Sequence, residues 1–202
     1  MHEDTFPPSP FGQRARGAER RVVLKIGSRI LTEGTDRLSE RRCREIAEHV
    51  LDVPGTEVVI VSSGAVAAGF RTLGYATPPR GIQERQAAAA VGQTHLMSLW
   101  QRVFEPLGRP VAQVLLTNDC LTDRRRYVTA RGAFAELLDR KVVPIVNEND
   151  TVSVDEIMVG DNDNLAAMTA ALVDAHLLIL LTDVAGVFAG PPTHGHAPEP
   201  IR

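Results

Sequence analysis

The sequence predicts an α/β fold, a mostly parallel β-sheet covered by helices on both faces. Three observations predict it. Short apolar runs, VVLKI with its single Lys25, VVIV, VVPIV and LLILL, recur along the chain, and near-continuous apolar strands belong to sheets buried on both sides. Stretches with helical spacing separate these runs. The runs end in polar or glycine-rich residues, as strands do where a parallel sheet offers its carboxyl edge to a ligand.

The elements follow in order. A buried strand at residues 22–26 runs into Gly27-Ser28. Ser39 is placed to cap a helix that continues through residue 51. A strand at residues 58–61 meets Ser62-Ser63-Gly64, and a helix of small residues spans 65–73. A long helix covers residues 83–104, its buried face marked by Ala87, Val91, Leu96, Leu99 and Val103. Next come a strand at 111–116, a helix at 130–138 and a strand at 142–146. Residues 151–159 alternate enough to form a small hairpin, and a helix occupies 164–173. The last strand, 177–181, ends at Thr182-Asp183.

Composition bounds the function. At 202 residues one domain is expected, with enough chain for a real core. Hydrophobic residues make up 44% and charged residues 23%, an ordinary soluble globular mixture. A net charge of −3 gives no nucleic-acid footprint. No apolar run is long enough to span a membrane. Cys43 and Cys120 lack metal-site spacing, so a cytoplasmic, reducing location is expected. Residues 1–20 open acidic and carry no apolar segment, and they read as a disordered tail, not a secretory signal. Seven of the 13 prolines fall in residues 1–20 and 189–202. That shift confines the folded domain to residues 21–188, with an irregular tail at 189–202.

The richest stretch is VVPIVNENDTVSVDEIMVGDNDNL. An apolar run ends in Asn147, Glu148, Asn149 and Asp150, and a second polar knot, Asp161 to Asn164, opens an apolar helix. Four strand ends are thus polar or glycine-rich: those at Lys25 to Ser28, Ser62 to Gly64, Asn147 to Asp150, and Thr182-Asp183. Their agreement points to one composite site. Gly27 and Gly64 allow backbone N–H groups to approach a ligand closely. Ser63-Gly64-Ala65 opens a helix, which favours an anion. Lys25 is one of only two lysines beside 20 arginines, and its compact ammonium suits a phosphate. Asp161 and Asp163 can hold Mg²⁺ or orient cationic groups. This is equipment for phosphoryl transfer, which rests on positioning and charge neutralisation. Neither G-x-x-x-x-G-K-[ST] nor G-x-G-x-x-G occurs, which disfavours a P-loop NTPase and a dinucleotide enzyme.

Each residue also has a bland reading. Lys25 serves equally as a strand-end lysine, Ser63-Gly64 as a tight turn, Asp150 as a turn residue, Asn162 as a helix cap and Thr182-Asp183 as a strand exit. Arg124 to Arg126 reads as a solvated charge run. His194 and His196, in a Gly/Pro-rich tail, carry no specific role.

The ordered segments VVLKIGSRIL, VVIVSSGAVAAG, QAAAAVGQTHLM, QVLLTNDCLTDRRRY, VVPIVNENDTVS, VGDNDNLAA and LLILLTDVAGVF resemble the amino acid kinase family over residues 21–188. Within it they are most similar to the branch that phosphorylates L-glutamate at the start of proline biosynthesis. The resemblance implies an αβα sandwich. It also implies transfer of the γ-phosphate of ATP, with Mg²⁺, to the side-chain carboxylate of L-glutamate. By matching position, Lys25 contacts ATP phosphates, with Gly27 and Ser28 in the same loop. Ser63, Asp150 and Asn162, with Gly64 alongside, hold glutamate. Asp161 organises charge around the transferring phosphoryl, and Thr182 and Asp183 sit at the nucleotide.

The departures carry expectations too. The family domain continues with a glycine-rich turn bearing a second catalytic lysine and with further strands, so the C-terminal part is expected to be incomplete. Arg29 stands where the family usually has a small Ser, and Pro191-Pro192 where it usually has Asp-Pro. An open sheet edge and self-association into a homo-oligomer follow. Two alternatives stay open: a non-catalytic remnant that binds glutamate or pairs with another kinase subunit, and a related kinase with another acidic substrate.

Overall fold

The computed structural model describes residues 20–152 and 162–183, apart from the side chains of residues 118 and 121. Five parallel strands form one sheet in the order β3-β4-β2-β1-β5. β1 (Arg20–Ile26) lies between β2 (Thr56–Ser62) and β5 (Leu177–Leu181), while β4 (Val143–Glu148) joins β2 to β3 (Val111–Leu116).

Alternation along each strand divides the core in two. Leu24, Ile26, Val58, Ile60 and Ile145 face α2 (Glu40–Leu51) and α4 (Ile82–Phe104), where they pack with Cys43, Ala47, Leu96 and Trp100. Val23, Val59, Val61 and Val146 face α6 (Arg124–Asp139) and α7 (Asn162–Leu172), packing with Phe134, Leu138, Leu165 and Leu172. The architecture is therefore an αβα sandwich. Three short helices, α1 (Ser28–Thr32), α3 (Ala65–Gly69) and α5 (Asn118–Thr122), sit just after strand ends.

Several element boundaries differ from expectation, each for a local reason. Ser39 caps α2 by accepting from the Arg42 N–H at 3.2 Å, as its sequence position suggests. The helix after Gly64 stops at Gly69 and does not reach residue 73. α6 begins at Arg124, because Asp123 caps it by accepting from the Arg126 N–H at 2.9 Å. The arginine run is thus a first helical turn, and Arg126 also pairs with Asp119. Residues 153–161, which hold most of the expected hairpin, and both expected tails lie outside the described residues, except Arg20, which belongs to β1 and not to a tail.

The buried face of α4 was misplaced in its first half. Ala87 is exposed and Val91 only half-buried, whereas Ala88, Ala89, Gly92 and Gln93 are buried. The cause is close packing against α3. A Cβ on Gly92 would stand 1.7 Å from the Ala65 carbonyl oxygen, and one on Gly69 would stand 2.0 Å from that of Ala88. Helices this close must meet through their smallest residues.

The β5 edge of the sheet is open among the described residues. Leu177, Ile179 and Leu180 are exposed. An apolar groove of about 730 Å³, lined in part by Val22, Leu24, Ile46, Val50 and Ile179, runs beside it.

Candidate active site

The carboxyl ends of β1, β2, β4 and β5 converge on a cleft of about 450 Å³. Lys25 enters it from an internal strand. Its position on β1 gives it the same face as Val23, toward α7, and only 7% of it is exposed. The ammonium stands 2.6 Å from the Asp163 carboxylate in the first turn of α7. A buried cation beside the end of a parallel sheet is poised for an anion.

A chain of amides lies across the cleft floor. Buried Asn147, at the end of β4, donates from Nδ2 to Gln93 Oε1 at 2.9 Å. Its Oδ1 accepts from the Glu148 N–H and from Asn162 Nδ2, both at 2.9 Å. Asn162 also donates to Ser63 Oγ at 3.1 Å. Four elements, α4, β4, α7 and the β2–α3 turn, are thereby fixed by side-chain hydrogen bonds. Gly64 makes that turn possible with φ +103°, a conformation other residues rarely adopt. Beneath it, Trp100 Nε1 donates to Ser62 Oγ at 3.1 Å.

Two expectations about anion binding are modified here. α3 is only five residues long, so its dipole adds little. The N–H groups of Gly27 and Ser63 are spent on Leu181 O and Ile26 O, each at 3.1 Å. The candidate backbone donors are therefore the following amides, at Ser28 and Gly64.

Asp150 follows β4, and burial pushes its carboxyl above the usual carboxylate range, against the opposing field of Arg85. At the β5 end of the cleft, Arg29 reaches across from α1 to Asp183, 2.8 Å away. The hydrogen bond from Arg29 holds the Asp183 carboxyl below its ordinary range. Thr182 lines the same region.

Of the residues singled out from sequence, Lys25, Gly27, Ser28, Ser63, Gly64, Asp150, Asn162, Thr182 and Asp183 all line this one cleft. Asp161 lies outside the described residues. Sequence reasoning overlooked Gln93 and Arg85. Gln93 left a legible signal: it is a polar residue on the α4 stripe that carries Ala89, Leu96 and Trp100, and so one that burial obliges to find a partner. Arg85 left none, being one of many arginines.

Residues 20–202 match the model of the amino acid kinase family. The chain belongs to the amino acid kinase family. Among curated members it is 49% identical to glutamate 5-kinase of Xylella fastidiosa strain 9a5c over 202 residues, 98% of this chain and 52% of that protein. It is 48% identical to glutamate 5-kinase of Herpetosiphon aurantiacus over 181 residues, 89% of this chain and 49% of the relative. For glutamate 5-kinase of Moorella thermoacetica the identity is 51% over 177 residues, 86% of this chain and 46% of the relative. The chain spans about half the length of the curated relatives it matches. Phosphoryl transfer is the family chemistry that a Lys25 ammonium at the sheet end suits.

Proposed function

We propose that the cleft is the substrate site of a glutamate 5-kinase. ATP donates its γ-phosphoryl group to the side-chain carboxylate of L-glutamate, giving L-glutamyl 5-phosphate and ADP at the opening of proline biosynthesis. One observation carries this reading: a cationic strand end at Lys25 shares a single cleft with the Ser63, Asp150 and Asn162 cluster. The names of the relatives support the choice of glutamate.

The chemistry asks little of acid–base groups. A glutamate side chain has a reference pKa of about 4.3, so at neutral pH it is already an anionic nucleophile. A carboxylate oxygen forms the new O–P bond as the bond from the γ-phosphorus to the bridging oxygen breaks, and its electron pair leaves on ADP. The barrier lies in bringing two anions together, which cations and oriented N–H donors lower. Lys25 supplies the positive charge, with Gly27 and Ser28 shaping the loop beside it. Ser63, Asp150 and Asn162, with Gly64, orient the amino acid. Thr182 and Asp183 lie toward the nucleotide, and Asp161 completes the charged set around the phosphoryl group.

Among the described residues no group of three His, Cys, Asp or Glu is gathered to cage a metal. Mg²⁺ needs no such cage, since it binds through one or two carboxylates plus substrate phosphates. Glu148, which lines the cleft, and Asp163, which faces Lys25, are the described carboxylates that would hold the ion, and it would neutralise phosphate charge. Self-association and a cytoplasmic location belong to the same proposal. They are supported by the exposed β5 edge and by two free thiols.

The test is ADP release by the 202-residue chain with ATP, Mg²⁺ and L-glutamate, beside a Lys25→Met control. Glutamate-dependent release that the control lacks is the expected result. A second reading is favoured by the apolar groove at β1 and β5: the chain holds glutamate but turns over only when further polypeptide covers that face. It predicts glutamate protection against thermal unfolding without ADP release. Absence of both effects overturns the glutamate assignment.

A further inference from the structure

Neither fold nor stability explains the placement of Arg85 in the cleft. It sits in the first turn of α4, a 23-residue helix. A cation is disfavoured there, because the helix N-terminus already carries partial positive charge. Among the described residues Arg85 makes no ion pair, and its Nε is buried without a hydrogen-bond partner. A buried guanidinium nitrogen left unmatched is costly. The neighbouring Glu84 does not relieve it, since its carboxylate turns back to accept from the Gly81 N–H at 3.2 Å.

The guanidinium nevertheless lines the cleft together with Asp150, Asn162 and Ser63. It acts on Asp150 through space, opposing the effect of burial on that carboxyl. A half-buried carboxylate and a guanidinium with an unmatched Nε thus line the same cleft. β4 and β1 flank β2, so the end of β4 that leads to Asp150 lies roughly 10 Å across the sheet from the Lys25 strand.

That arrangement is complementary to one chemical group. An α-amino acid carries an ammonium and a carboxylate on the same carbon. Asp150 can accept from the first, and Arg85 can grip the second with two parallel N–H donors. With the head group held there, a side-chain carboxylate points toward the phosphate end.

We propose that Arg85 anchors the α-carboxylate of the amino-acid substrate and so sets the requirement for a free α-amino acid. The proposal rests on the kinase reading of the cleft but adds a residue and a specificity to it. Arg85 touches the substrate away from the reacting atoms, so its loss weakens binding more than it slows chemistry.

Calorimetric titration of the full 202-residue chain tests this with two ligands. L-Glutamate carries the α-carboxylate. L-Isoglutamine replaces it with a neutral carboxamide and keeps the ammonium and the side-chain carboxylate. The wild-type chain is expected to prefer glutamate by about ten- to a hundredfold, the range for a charge-assisted contact. In Arg85→Gln that preference falls to near one, and Arg85→Lys retains part of it. Wild-type binding of both ligands with equal affinity overturns the proposal, as does an Arg85→Gln chain that keeps the wild-type preference. If Arg85→Gln does not fold, the Arg85→Lys ratio and the wild-type ratio decide. Failure of the wild-type chain to bind either ligand instead overturns the glutamate site itself.

Discussion

The Lys25 ammonium and the Asp163 carboxylate stand 2.6 Å apart, joining an internal strand to the first turn of α7. The two partners are unequally solvated. Lys25 is almost fully buried, whereas 41% of the Asp163 side chain is exposed. Truncating either side therefore has unequal effects. Asp163→Asn leaves a buried ammonium without that carboxylate and is expected to destabilise the chain by about 1–3 kcal/mol. Lys25→Met leaves a part-exposed carboxylate whose facing Oδ1 is buried, and is expected to cost less than the loss of Asp163, while removing the charge proposed to meet phosphate. Urea unfolding of both variants measures this, and equal losses would contradict the asymmetry.

Asn147 is expected to matter through its neighbours. It links Gln93 on α4 to Asn162 on α7, and Asn162 in turn reaches Ser63. Asn147→Leu strands Gln93 Oε1 and the Glu148 N–H and should lower stability by about 1–3 kcal/mol. It should also weaken glutamate binding, because Asn162 loses one of the contacts that orient it and keeps only those to Ser62 and Ser63. Denaturation and calorimetry on the same preparation check both effects. A variant that is destabilised yet binds normally would show that Asn147 is structural alone.

Asp150 gives a pH dependence whose sign is fixed. Its folded-state pKa is raised by burial, so the native state holds its proton to higher pH than the unfolded chain does. Stability from this group accordingly declines as pH rises from the unfolded pKa through the folded one. Ligand binding runs the other way: accepting an ammonium requires the carboxylate, so glutamate affinity declines as pH falls through the raised pKa. Asp150→Asn should melt at a higher temperature than wild type at neutral pH, with the gap closing in acid, and should bind glutamate poorly throughout. Melting curves across pH decide, and a variant less stable at pH 7 would contradict the assignment.

The α3–α4 contact is expected to tolerate no added methyl group. The 1.7 Å approach calculated for a Cβ on Gly92 is to backbone, which cannot swing aside as a side chain can. Gly92→Ala is expected to cost about 1–3 kcal/mol through overpacking, despite the better helix propensity of alanine. A raised melting temperature would show that the two helices slide apart freely.

The parallel sheet was legible because buried strands leave apolar runs that no other element mimics at that length. Strand ends were legible for the same reason, since polar residues abruptly following such runs mark the carboxyl edge. Lys25, Ser63, Asp150, Asn162 and Asp183 could thus be singled out one by one and expected to converge. The Ser39 cap was equally local, depending on residues three apart. The face of α4 was not legible, because Gly92 is buried by the approach of Gly69 and Ala65, which lie more than twenty residues away in sequence. Gln93 and Arg85 follow the same rule. Their roles come from what stands opposite them, and helical periodicity says only which way they point.

The sequence by itself determined the layers, the strand ends and the residue types of the site, since these follow from burial and local hydrogen bonding along a few consecutive residues. Only the tertiary structure decided the strand order that sets β1 between β2 and β5, the pairing of Lys25 with Asp163, and the amide chain from Gln93 to Ser63. It also brought Arg85 into the same cleft as Asp150. Those are contacts between distant segments. Their energies depend on distance and on exclusion of water, quantities that exist only once the chain has closed around them.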